Sequence, residues 1–145
     1  MKLVDANVLI YSVDSDCPHH QAAQTWIDDA LSGSEVVVLP WLCLVAFLRI
    51  TTHSRLYEHP LSVEQACDAV DAWLAAPPVR TDVPVAGVAG RLRKALTQTG
   101  VGGNTVNDAY LAALAISLGA GLVSFDTDFA RFPGLTWTNP AVDTA

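Results

Sequence analysis

Four aspartates stand where carboxylates could act together on a substrate. Asp5 follows the short apolar stretch KLV, and Asp108 lies near the start of a helix-like segment. Asp126 and Asp128 follow the apolar stretch LVSF. In open parallel α/β sheets, ligand sites form in the crevice at the carboxyl ends of the strands. Carboxylates that share one pocket repel each other, so we expect a cation to neutralise them. Oxygen ligands without His or Cys suit Mg²⁺ or Mn²⁺.

The chemistry that such a site implies is metal-assisted hydrolysis of a phosphoester. The metal would orient the phosphate, lower the pKa of an attacking water and stabilise charge on the leaving oxygen. Each aspartate also has a structural explanation. Asp5 could cap the helix that follows it, and Asp108 could favour the positive end of its helix dipole. Asp126 and Asp128 could be turn residues. Their joint placement at converging strand ends favours a site.

Length and composition indicate one domain, spanning residues 1–145. Hydrophobic residues make up 51% of the chain, which is typical of a globular protein whose sheet is buried on both faces or whose surface meets a partner. The most apolar run, residues 36–48, is interrupted by Pro40 and is too short to cross a bilayer. The N-terminus has no signal-peptide pattern. We therefore expect a cytoplasmic protein with no membrane partner.

Cysteine spacing argues against sites that depend on cysteine, and the net charge argues against non-specific binding of nucleic acid. Cys17, Cys43 and Cys67 are widely spaced and form no CxxC pair, which argues against a disulfide framework or a structural zinc site. The net charge of −7 argues against non-specific nucleic-acid binding. However, a metal would neutralise part of the acidic cluster, and the bases gather at 49–55 and 91–94. A basic rim beside an acidic pocket remains compatible with the charge.

Strand-like and helix-like patterns alternate along the chain. Apolar stretches predict strands at the N-terminus and at 36–39, 79–83, 122–125 and 135–137. Helical spacing predicts helices between them, among them 22–31, 41–52, 88–99 and 106–118. Ser62 with Gln65 resembles a capping box that opens another helix. This alternation predicts an α/β fold with three layers (α/β/α), in which helices cover both faces of a parallel sheet of four to five strands.

Two segments resemble a known family. DANVLIY near the start and NDAYLAALAISLGAGLVSFDTDFARFPGL near the end resemble the PIN-domain ribonucleases, with most similarity to the VapC toxins of bacterial toxin–antitoxin pairs. The resemblance covers nearly the whole chain, although residues 56–99 match only in pattern. It implies an endoribonuclease that depends on Mg²⁺ or Mn²⁺ and leaves a 5′-phosphate and a 3′-hydroxyl. It also implies a homodimer and inhibition by a small cognate antitoxin.

The resemblance assigns the acids to roles. Asp5, Asp108 and Asp126 match the first, third and fourth family acids and are expected to be catalytic metal ligands. Asp128 is expected to be an auxiliary metal ligand in the same turn. The second family acid is commonly a Glu just before F-L-R, where this chain has Ala46 in VAFLR. One carboxylate is therefore absent, although one Mg²⁺ can manage with two protein carboxylates.

Four polar residues are candidates for binding substrate or orienting the acids. Arg49 lies one helical turn beyond Ala46, and its guanidinium suits phosphate oxygens. Arg49 could equally pair with an active-site acid or interact with the dipole at the end of its helix. Asn7 and Asn104 could orient the acids or reach substrate. Ser124, two residues before Asp126, could support the acids through its hydroxyl.

Two other functions, a phosphatase and a binding module without catalysis, match parts of the sequence. Asp126 and Asp128 mimic the DxD motif of haloacid-dehalogenase-type phosphatases, but that motif should open a domain rather than close one. A PIN-like module without catalysis, binding RNA or antitoxin, is the main alternative, and metal-dependent cleavage distinguishes it. The apolar helix that carries Trp41, Leu42 and Phe47 is expected to supply a dimer surface or an antitoxin groove.

Overall fold

A parallel sheet forms the centre of the protein. The computed structural model describes residues 1–100 and 102–142, with Asn104 described by its main chain alone. The strands are β1 (Lys2–Val4), β2 (Val37–Val38), β3 (Val79–Arg80), β4 (Gly121–Val123) and β5 (Trp137–Thr138). Within the described residues these five strands are all parallel and follow the order β3-β2-β1-β4-β5. The predicted parallel sheet of four to five strands is confirmed.

Helices connect the strands. They are α1 (Ala6–Val13), α2 (His20–Ser32), α3 (Trp41–Thr51), α4 (Val63–Ala75), α5 (Val88–Thr99) and α6 (Val106–Leu118). Short 3₁₀ helices span Gly103–Thr105 and Thr127–Arg131. α1 packs against α2 and α3, α3 packs against α4, and α5 packs against α6.

The central strands are buried on both faces. Successive strand residues point to opposite faces of a sheet. Leu3 and Val4 of β1 are both fully buried, and so are Leu122 and Val123 of β4. Helices must therefore cover both sides of the sheet, as in other parallel α/β proteins. The predicted three-layer α/β/α architecture is confirmed.

The strand order places a ligand crevice beside β1. From β1 the chain proceeds to β2 and β3 on one side, and β4 and β5 then add on the other side. The order thus reverses between β1 and β4, and such a switch point leaves a crevice at the carboxyl ends of the two strands. Asp5 follows β1 directly, and Ser124 and Asp126 follow β4. The fold brings these residues together although 119 positions separate Asp5 from Ser124.

Helix boundaries agree with the sequence patterns, whereas the strands are shorter than predicted. The Ser62–Gln65 capping box is formed in both directions, and Gly119 ends α6 in the left-handed conformation. The strand predicted at 79–83 stops at Arg80. Its last ladder bond runs from the Leu39 amide to the Arg80 carbonyl, and Pro40 is then the N-cap of α3. Beyond that point β3 has no partner strand.

The most apolar run divides into β2 and α3, with Pro40 between them. Phe47 is fully buried and packs edge-on against Trp73, so the face of α3 that carries Phe47 belongs to the core. Trp41 and Leu42 of the same helix remain exposed. No helix in the described part of the chain has the length and apolarity of a membrane span.

Candidate active site

Asp5 is anchored through both carboxylate oxygens. It occupies the N-cap of α1, and its Oδ1 accepts a hydrogen bond from the Ala6 amide at 2.7 Å. Its Oδ2 accepts one from the Ser124 hydroxyl, also at 2.7 Å. Burial raises the pKa of Asp5, the bonds from Ser124 and Ala6 oppose that rise, and the nearby charge of Asp126 adds to it. The capping role predicted for Asp5 is confirmed, and the same carboxylate lies at the crevice.

Ser124 links the chain segments that follow β1 and β4. Its fully buried hydroxyl donates to Asp5 and accepts hydrogen bonds from Asn7 Nδ2 at 2.9 Å and from the Asp126 amide at 3.0 Å. The Asn7 side-chain oxygen accepts from the Phe125 amide at 3.2 Å. The Asn7 side chain therefore binds the two residues that directly follow β4, Ser124 and Phe125. This network fixes Asp5 and the Asp126 main chain relative to each other.

Asp126 and Asp128 differ in their surroundings. Asp126 caps the 3₁₀ helix, because its Oδ1 accepts from the Asp128 amide at 2.8 Å. The Asp128 carboxylate forms an ion pair with Arg131 at 2.6 Å, and 65% of its side chain is exposed. Asp126 is thus held at the crevice, whereas Asp128 is neutralised at its outer edge.

Asp108 lies in the first turn of α6 and completes the group. Its pKa is raised to about 6, first by partial burial and then by the charges of Asp5 and Asp126. Asp128 adds a smaller rise, and the Arg131 guanidinium opposes it. Three carboxylates from distant parts of the chain therefore lie within electrostatic reach of one another. A bound cation would offset their mutual repulsion.

A cavity of about 400 Å³ opens beside two of these acids, and Asp126 is not among its lining residues. Asp5 and Asp108 line it together with Ala46, Arg49 and Asn107. Ala46, which stands where a Glu was expected, thus borders the acids without contributing a carboxylate. Arg49 lies in the last turn of α3 and is exposed. In the described part of the chain it forms no ion pair, so the predicted pairing of Arg49 with an active-site acid is not observed.

Carboxylate oxygens are the type of donor that a hard divalent cation takes when it keeps part of its water shell. Asp108 accepts no hydrogen bond from any described residue, so its oxygens are available to a ligand. Asp126 has Oδ2 free of such bonds within the same described residues. Across residues 1–100 and 102–142, no group of three or more His, Cys, Asp or Glu side chains is placed so that it could hold a metal ion. Waters and substrate oxygens would have to complete the coordination shell.

The structure brings together most of the residues that the sequence singled out. Asn7 and Ser124 support the acids from behind, and Arg49 borders the cavity. The side chain of Asn104 lies outside the described part of the structure. Sequence reasoning missed Asn107, whose only signal was its place next to Asp108. It also missed the pairing of Arg131 with Asp128, for which the three-residue spacing was the available clue.

Comparison with known proteins identifies relatives over nearly the full chain. Residues 2–135 match the PIN domain. Ribonuclease VapC37 of Mycobacterium tuberculosis is 46% identical over 140 residues, covering 97% of each chain. Ribonuclease VapC33 of the same species is 37% identical over 145 residues, covering 97% of this chain and 98% of the relative.

Solved structures share the fold at lower identity. VapBC2 from Rickettsia felis, solved with a promoter DNA fragment, superposes with a TM-score of 0.67 at 20% identity, covering 95% of this chain and 97% of that one. VapC20 of Mycobacterium tuberculosis, a toxin that cleaves the sarcin–ricin loop, gives a TM-score of 0.67 at 19% identity, covering 94% and 99%. The chain therefore belongs to the PIN-domain family and, within that family, to the VapC ribonucleases.

Proposed function

We propose that this protein is a metal-dependent endoribonuclease that acts as the toxin of a toxin–antitoxin pair. It hydrolyses RNA phosphodiester bonds and leaves a 5′-phosphate and a 3′-hydroxyl. The observation that carries the proposal is the convergence of Asp5, Asp108 and Asp126 at the switch point, where burial and like charge raise the pKa of Asp108 to about 6. The relatives named as ribonucleases support the reaction class.

Asp5, Asp108 and Asp126 would hold Mg²⁺, or Mn²⁺ in its place, and Asp128 would assist from the outer edge. When bound, the cation lowers the pKa of the attacking water and offsets charge on the leaving oxygen. The protein's own contribution is to position the acids. The Ser124 hydroxyl orients Asp5, and Asp108 presents an unbonded carboxylate to the cavity.

Arg49 would bind the phosphate next to the scissile bond. It borders the same cavity as Asp5 and Asp108, and no described carboxylate neutralises it. A guanidinium forms two parallel hydrogen bonds to phosphate oxygens. In a chain of net charge −7, the Arg49 guanidinium would give the RNA backbone one favourable contact beside the acids.

The partners of the proposed toxin are RNA, a VapB-like antitoxin and a second copy of the chain. Fold neighbours solved as VapBC complexes support the antitoxin. On α3, Trp41, Leu42 and Val45 are exposed apolar residues that would receive an amphipathic antitoxin helix. An antitoxin Arg inserted among the acids would displace the metal. An antitoxin that still inhibits fully after all its Arg residues are replaced would refute this mode of inhibition.

A binding module without catalysis is the second candidate. The observation that favours it is Ala46, which borders the cavity and supplies no carboxylate. A site with fewer acids would hold a metal more weakly. Such a protein would bind RNA or antitoxin and leave the RNA intact.

Cleavage of total cellular RNA, mapped by sequencing that requires a 5′-phosphate, separates the two candidates. The wild type is compared with Asp5→Asn and Asp108→Asn, each with Mg²⁺, with Mn²⁺ and with EDTA. If the protein is a nuclease, we expect discrete cuts that disappear with EDTA and with either substitution. Folded wild type that cuts no RNA under any condition would support the binding module instead.

A further inference from the structure

Three aromatic rings form a stack at the surface beside the acids. His19 stacks on Phe125 with a centroid distance of 4.8 Å and an interplanar angle of 28°. The Tyr11 ring is tilted against both, with centroid distances and interplanar angles of 5.2 Å and 57° to Phe125 and of 5.8 Å and 31° to His19. The three side chains are here called the aromatic stack. They come from α1, from the residue that precedes α2 and from the segment after β4.

The aromatic stack adjoins the candidate active site through the main chain. Phe125 lies between Ser124 and Asp126, and its amide donates to the Asn7 side chain at 3.2 Å. Phe125 is therefore the residue directly before Asp126, a proposed metal ligand. Burial raises the pKa of the Tyr11 phenol, and Cys17, Asp5, Asp126 and Asp14 add to the rise in that order, so Tyr11 lies within electrostatic reach of two of the acids.

The aromatic stack is held in place by contacts that leave its outer surface open. The His20 ring nitrogen Nδ1 lies 2.8 Å from the Tyr11 carbonyl oxygen, which ties the start of α2 to α1. His19 is exposed as a residue, although its ring lies on Phe125. Among the described residues, no hydrogen bond engages the His19 ring or the Tyr11 hydroxyl. The stack is a pre-formed aromatic surface, and His19 is its exposed member.

An unpaired nucleobase is the ligand that this surface suits. Proteins bind single-stranded RNA by stacking bases on His, Tyr and Phe rings. Such stacking depends little on charge, which suits a chain of net charge −7, because the overall negative charge opposes binding of the RNA backbone. A base is attached to its phosphate through one sugar, so a base on the stack would place its backbone near the acids.

We propose that the aromatic stack binds an unpaired base of the RNA substrate next to the phosphate that the active site cleaves. The proposal rests on the proposed nuclease function. It implies selection for single-stranded positions, because a base inside a duplex cannot leave its neighbours without a cost in stacking and pairing. Tyr11 and His19 would thus contribute to the choice of cleavage site.

Binding of short oligoribonucleotides that carry one 2-aminopurine tests the proposal, with EDTA present so that the RNA stays intact. The proteins are wild type, His19→Ala, Tyr11→Leu and His19→Phe, with His59→Ala as a matched exposed-histidine control. Wild type should quench 2-aminopurine fluorescence in single strands more than in duplexes. His19→Ala should raise Kd by about 5- to 50-fold and reduce the quenching. His19→Phe should restore both, and His59→Ala should match wild type.

Equal Kd and quenching in wild type, His19→Ala and Tyr11→Leu would overturn the proposal, and so would wild type that binds no oligoribonucleotide. The two proposals fail separately. Metal-dependent cutting by wild type, combined with unchanged binding by both variants, would refute the base site and leave the nuclease standing. Quenching that depends on His19, in a protein that cuts no RNA, would support the base site and refute the nuclease.

Discussion

Replacing Asp108 with Asn should stabilise the metal-free protein at pH 8. The pKa of Asp108 in the folded state is about 6, above the ordinary value of 3.8, so folding favours the protonated carboxyl. The stability that this group contributes is fully present below about pH 4 and is lost as the pH rises through 6. The full interval corresponds to about 3 kcal/mol. Because the side chain is partly exposed, screening by water reduces the expected gain to roughly 1–2 kcal/mol.

Urea unfolding and thermal melting in EDTA measure this gain, with exposed Asp71 on α4 as the control in Asp71→Asn. At pH 8, Asp108→Asn should melt about 3–6 °C above wild type. The difference should shrink toward zero by pH 4. Adding Mg²⁺ should raise the melting temperature of wild type by ligand linkage and affect the variant much less. A variant that is no more stable than wild type at pH 8, or a difference that is constant across pH, would refute the assigned electrostatics.

Four further substitutions test the hydrogen-bond network around Ser124, the cap of α4 and the proposed phosphate contact of Arg49. Ser124→Ala should cost about 2–4 kcal/mol in urea unfolding, because it leaves Asp5 and Asn7 without their buried partner. The matched change Ser117→Ala should be neutral or stabilising by up to about 1 kcal/mol, since the Ser117 hydroxyl is buried without a hydrogen-bond partner in the described part of the chain; an equal loss from both would contradict the network. Ser62→Ala should cost about 1 kcal/mol by removing the cap of α4, and no loss would contradict that role. Arg49→Ala should reduce RNA cleavage at unchanged stability and lower the salt dependence of RNA binding by about one phosphate contact. Unchanged cleavage would remove Arg49 from the site.

Local signals were sufficient for the helices and for the order of the elements. The Ser62–Gln65 capping box and the Gly119 terminus depend on residues within one turn, so the printed sequence contains the whole interaction. The strands were less predictable. The end of β3 at Arg80 depends on where β2 stops, and that partner lies some forty residues earlier in the chain. A strand extends only as far as its hydrogen-bonded partner strand does.

The acids were predictable as a group, because parallel strands bring their carboxyl ends to one edge of the sheet. Their supporting contacts were not. The bond between Asn7 and Ser124 spans 117 residues, and no local pattern specifies it. The same holds for the burial of Phe47, which α3 could have directed outward as readily as Trp41. Side-chain pairing across the fold is set by packing, which the sequence pattern of one element does not contain.

Reversible dependence of RNA cleavage on a divalent cation tests the central claim most directly. One substrate RNA is incubated with wild type in Mg²⁺, then in EDTA, then with Mg²⁺ restored, beside Asp108→Asn purified in the same way. Wild type should cut the RNA in Mg²⁺, stop in EDTA and resume when Mg²⁺ is restored, and the variant should not cut at any stage. Cutting that persists in EDTA, or that Asp108→Asn retains at the wild-type rate, would contradict a metal-dependent reaction at these acids.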